Sequence, residues 1–114
     1  MEEIMTLNDY QKKAISTNLK NDDPVLELMQ QVLGLGDEAG EVQAVFKKWL
    51  RDDKADLKKL NVSSLKKELG DVLWYVAMVA HDLGLSLGEI AQANVDKLAD
   101  RQIRGVLGGS GDNR

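Results

Sequence analysis

An all-α fold follows from three features of the 114-residue chain. Apolar residues recur at helical spacing over most of its length. There is one proline, and two Trp, two Tyr and one Phe are too few aromatic side chains for a sandwich or barrel. Four helices and no strand are expected, forming a four-helix unit. A single domain over residues 1–105 is followed by a mobile, glycine-rich tail at 106–114.

The first helix is expected over residues 7–19, with Thr6 as N-cap and Asp9 in the capping-box position. Asp23 caps the second, and Pro24 fits its first turn, where the missing N–H is no loss. This helix runs to about residue 50, with a seam at Leu28, Val32, Leu35, Ala39, Val42, Phe46 and Trp49. Residues 51–61 are dense in Asp and Lys and read as a solvated connection. Ser63 or Ser64 opens the third helix, whose seam is Leu65, Leu69, Val72, Val76, Val79 and Leu83, with Gly84 as its stop. Ser86 and Glu89 form a capping box for the fourth, which reaches Arg104 before Gly105. Glycines 34, 36, 40 and 70 fall inside predicted helices, where each costs about 1 kcal/mol relative to alanine; close helix approach is the expected reason.

Composition excludes several chemistries. With no cysteine there is no disulfide scaffold, thiolate metal site or cysteine nucleophile, and any metal is held by oxygen or by His81. Met1-Glu2-Glu3-Ile4 lacks the basic and apolar regions of a signal peptide, and no apolar run approaches the ~20 residues of a membrane span. A cytoplasmic protein is expected. A net charge of −4 disfavours duplex nucleic acid as a partner.

The acids are distributed unevenly. Asp37-Glu38-Ala39-Gly40-Glu41 and Glu68-Leu69-Gly70-Asp71 each carry carboxylates at i, i+3, on one helical face. Both pairs precede seam residues by one position, so Glu38, Glu41, Glu68 and Asp71 are expected to converge at the edge of an antiparallel helix pair. One pair alone is ordinarily a solvated face; two with matching offset call for cations, and oxygen-only ligands suit Mg²⁺, with Mn²⁺ as a substitute. A di-iron bundle is disfavoured because its Glu-x-x-His motif is missing: Met78 stands three residues before His81. On the fourth helix, Ile90, Asn94, Lys97, Arg101 and Arg104 share a face suited to phosphate oxygens, and Leu87, Ala91, Val95 and Leu98 form the face expected to pack.

These segments resemble the MazG-like family of all-α nucleoside triphosphate pyrophosphohydrolases. The family signature is Glu-Glu-x-x-Glu followed, after a spacer, by Glu-x-x-Asp; Asp37 stands here where Glu is usual. Asn94-Val95-Asp96-Lys97-Leu98 and Arg101 resemble the family's downstream segment. The resemblance implies that Glu38, Glu41, Glu68 and Asp71 bind Mg²⁺ and that Asn94, Lys97 and Arg101 contact the nucleotide. It also implies a homodimer or homotetramer whose helices complete one another's sites. The implied reaction is hydrolysis of a (d)NTP between its α- and β-phosphates, with Glu38 or Glu41 orienting or deprotonating the attacking water.

Among Tyr10, Gln11, Asn18, Trp49, Trp74 and Tyr75, which include groups able to meet a base, Gln11 is the candidate for base contact and the aromatics are more readily packing groups. Two alternatives compete with the hydrolase: a non-catalytic helical interaction module, and a pyrophosphohydrolase of a phosphoribosyl-nucleotide.

Overall fold

The computed structural model describes residues 4–114, which contain four α-helices, one 3₁₀ turn and no strand. Residues 1–3, most of the segment read as lacking a signal peptide, lie outside the described residues. Helix α1 spans Leu7–Ile15 and opens on the Thr6–Asp9 capping box. It is shorter than expected because Ser16 Oγ donates to the carbonyl of Lys13 and Thr17 Oγ1 to that of Ala14, ending the helical ladder. Helix α2 spans Pro24–Asp53, with Asp23 accepting from the N–H groups of Val25 and Leu26. It stops where Lys54 and Ala55 take left-handed backbone conformations, φ 50° and 59°, each costing roughly 1 kcal/mol in a non-glycine residue. Trp49 Nε1 donates to the Asp56 carbonyl at 2.7 Å and holds that turn against α2. After the 3₁₀ turn Leu57–Lys59, helix α3 spans Val62–Asp82; its cap is Asn61, which accepts from Ser64 N–H, rather than Ser63 or Ser64. Helix α4, Leu87–Arg104, begins on the Ser86–Glu89 capping box and ends at Gly105, φ 71°.

Helices α2 and α3 form the main pair, and their facing stripe differs from the predicted seam by a regular displacement. Leu28, Leu35, Val42 and Trp49 are inward as expected, but the positions between them are Gln31, Glu38 and Val45, while Val32, Ala39 and Phe46 are exposed. On α3, Leu65, Val72 and Val79 are inward, joined by Glu68, Tyr75 and Asp82 in place of Leu69, Val76 and Leu83 as the intervening row. Val76 is half-buried on the side that faces α1. Glu38 and Glu68 therefore sit within the interhelical stripe, not beside it. The displaced apolar side chains, Leu69 at 56% and Val32 at 42% exposure among them, make a second face that this chain leaves uncovered.

Gly34 accounts for the close approach of the pair: a Cβ there would overlap the ring edge of Tyr75 at Cε1. Added at Gly36, Gly40 or Gly70, a Cβ meets nothing, so close packing within this chain does not explain those three glycines.

The buried cluster is small: Ala14, Ala77, Met78, Ala80 and Leu87, with Tyr10, Ile15, Trp74 and Val76 packed against it. It joins α1, α3 and the start of α4. Beyond that start α4 projects, and the face expected to pack does so only in its first turns: Leu87 is buried and Ala91 half-buried, whereas Val95 is 58% and Leu98 43% exposed. The Cα radius of gyration, 17.3 Å, exceeds the ~13 Å of a compact domain this long. Residues 106–114 turn back on α4, where Arg114 donates to the carbonyls of Val106, Leu107, Gly108 and Gly111.

Candidate functional site

The α2–α3 register brings the two acidic motifs together. Carboxylate oxygens of Glu38, Glu68 and Asp71 all lie within 4.8 Å of one another. Glu41, one turn along α2 from Glu38, stands outside that group and shares a neighbouring space with Glu68. Burial and then the charges of Asp71, Glu68, Glu41 and Asp37 push the Glu38 carboxyl above its ordinary range. Among the described residues no Lys or Arg forms an ion pair with any of these carboxylates, although Lys47, Lys48, Lys66 and Lys67 are close in sequence. Three converging oxygens, uncompensated and partly desolvated, match the donor set of a hard divalent cation.

Two spaces flank the cluster. A cleft of about 320 Å³ is bounded by Thr17, Glu38, Asp71, Trp74 and Tyr75. The Trp74 and Tyr75 rings meet edge to face, 4.9 Å between centroids at 82°, and Trp74 Nε1 donates to Thr17 Oγ1 at 2.9 Å. Burial and the charge of Asp71 raise the pKa of the Tyr10 phenol, which packs against the buried cluster. Beyond Glu68 lies a second space, about 340 Å³, lined by Glu41, Lys48, Trp49, Lys59, Asn61 and Ser64 among others. The carboxylates thus stand between an aromatic wall and a pair of lysines. Thr17 and Lys59 did not emerge from the sequence, and Lys48 did so only as a lysine near the acids; the fold brings Thr17 here through its bond to Trp74 on α3.

Residues 27–105 match the family described as MazG nucleotide pyrophosphohydrolase domain. The chain belongs to that family. The Gene 37 protein of Mycobacterium phage L5 is 45% identical over 92 residues, covering 81% of each chain. No solved structure matches the chain significantly.

Other expected residues of this MazG chain lie elsewhere. Gln11 is 6% exposed; its Nε2 donates to the carbonyls of Ala77 and Leu85 at 3.1 Å each, and its Oε1 accepts from Leu87 N–H at 3.0 Å. With donor and acceptor both engaged, it ties α1 to the α3–α4 turn and lines neither space beside the carboxylates. On α4, Asn94 is exposed, Lys97 Nζ meets Asp112 at 2.9 Å, and the 5%-exposed Arg101 meets the same carboxylate at 3.1 Å. Neither space beside the carboxylates includes a residue of α4, so one chain does not unite the basic stripe with the acids. His81 is exposed and lines neither space. No helix of the described residues is long and apolar enough to cross a membrane.

Proposed function

We propose that the protein hydrolyses a nucleoside triphosphate between its α- and β-phosphates, yielding a nucleoside monophosphate and pyrophosphate with Mg²⁺ as cofactor. The convergence of Glu38, Glu68 and Asp71 within 4.8 Å, with no cation paired to them among the described residues, carries this reading. These three hold the cation, with Glu41 as a further ligand at the edge of the group. Bound there, Mg²⁺ supplies Lewis acidity and offsets phosphate charge.

The chain's own groups supply the rest. Glu38 or Glu41 accepts a proton from the attacking water and fixes its direction toward the α-phosphorus. Trp74 and Tyr75 flank the nucleoside, and Lys48 and Lys59 receive the negative charge of the departing pyrophosphate across Glu68. Asn94, Lys97 and Arg101 reach phosphate when a second copy of the chain brings its α4 to the acidic cluster, so the active form is a homodimer or homotetramer.

The test is a panel of standard and modified NTPs and dNTPs with Mg²⁺ or Mn²⁺, scoring monophosphate, pyrophosphate and orthophosphate separately. Monophosphate and pyrophosphate in equal amounts are expected. Orthophosphate alone, or no hydrolysis of any member, overturns the proposal.

A further inference from the structure

Glu27 is 3% exposed near the start of α2, and no cation is bonded to it among the described residues. Burying a carboxylate is costly unless its oxygens are satisfied, and here three donors satisfy them, each at 2.8 Å: Asn18 Nδ2, Gln31 Nε2 and the N–H of Asn21. Gln31 Nε2 also donates to Asn18 Oδ1 at 3.1 Å, closing a ring of Glu27, Asn18 and Gln31. A carboxylate can only accept, so it dictates which way both carboxamides point. Together these bonds hold the 16–23 turn onto α2.

That turn is a wall of the nucleoside space. Asn18, Glu27, Gln30, Gln31, Trp74 and Tyr75 border a cleft of about 360 Å³, which shares Thr17, Trp74 and Tyr75 with the cleft containing Glu38 and Asp71. Glu27 does not border the carboxylate cleft. Successive residues of the turn are thus held to different helices, Thr17 to Trp74 on α3 and Asn18 to Glu27 on α2. A substrate with its phosphates at the carboxylates extends past the two aromatic rings toward Asn18.

We propose that Glu27 is a positioning residue for the nucleoside end of the substrate, acting through Asn18 and the turn it anchors; this rests on the hydrolase reading above. The test is steady-state hydrolysis by wild type, Glu27→Gln and Glu27→Asp, with inorganic tripolyphosphate as the probe of the phosphate end alone. Glu27→Gln removes the charge and turns an amide NH2, a donor, toward the Asn21 N–H. Glu27→Asp keeps the charge but retracts it by one methylene, and it shows the same split should Glu27→Gln fail to fold.

The expected result is a KM for the nucleotide raised about tenfold, a kcat within twofold of wild type, and an unchanged inhibition constant for tripolyphosphate. An unchanged KM overturns the inference, as does a loss that falls equally on KM, kcat and tripolyphosphate inhibition, which marks general damage to the fold. If wild type itself releases no pyrophosphate, the hydrolase reading fails and this inference fails with it.

Discussion

At the scale of single residues, two glutamates on one helix respond to folding in opposite directions. Folding places Glu38 beside Asp71 and Glu68 and partly desolvates it, so its ionised form opposes the fold when no cation is bound. Glu38→Gln is expected to raise the Tm of the cation-free protein at pH 7 while abolishing turnover; a lower Tm in EDTA contradicts this account of the site. Glu27 has the reverse sign. Hydrogen bonds from Asn18, Asn21 and Gln31 hold its carboxyl below the ordinary range, so its contribution is present above the unfolded-state value and is lost as pH falls through the lower, folded value. Urea denaturation across pH 7 to 3 should show Glu27→Gln less stable than wild type at neutral pH and the gap narrowing on acidification. A constant gap rules out this linkage.

At the scale of elements, Gln11 is a clamp between α1 and the α3–α4 turn. Gln11→Ala leaves the Ala77 and Leu85 carbonyls and the Leu87 N–H without their partner and should cost about 3 kcal/mol of unfolding free energy, measurable by urea titration, with nucleotide preference unchanged. Caps made the helices legible: Thr6 with Asp9, Asp23 with Pro24, and Ser86 with Glu89 each mark a start that the structure reproduces. The two acidic motifs were likewise visible as i, i+3 pairs with a common offset. The rotation of the pair was not, for a physical reason. Helices α2 and α3 each carry two adjacent apolar rows, and ranking by hydrophobicity favours Val32, Phe46 and Leu69 over Gln31 and Glu68. The chain turns the polar row inward and leaves the apolar one outside. The clamp made by Gln11 was equally hidden, since an amide that satisfies a distant turn looks in sequence like any exposed polar residue on a helix.

At the scale of the molecule, the uncovered rows and the projecting α4 belong together. A chain with a radius of gyration of 17.3 Å, when ~13 Å is usual for its length, buries too little of its own apolar surface. In the homodimer or homotetramer proposed above, Val32, Leu69, Val95 and Leu98 are the contacts between copies that cover it. Analytical ultracentrifugation should give a mass that is a multiple of 12.6 kDa, and Val32→Lys with Val95→Lys should return it to one chain with loss of activity and retained helical circular dichroism. A single-chain mass for the wild type refutes this assembly.

The ring of Tyr75 occupies the volume that any side chain at position 34 would need. Neither position is then free to drift alone: a methyl at 34 displaces an aromatic wall of the cleft beside Glu38 and Asp71, and a smaller residue at 75 removes the reason for glycine. Across descendants of this chain the two sites should vary as a pair, with Gly34→Ala tolerated where position 75 has already shrunk. A deep mutational scan of the double-substitution grid reads that dependence directly as sign epistasis.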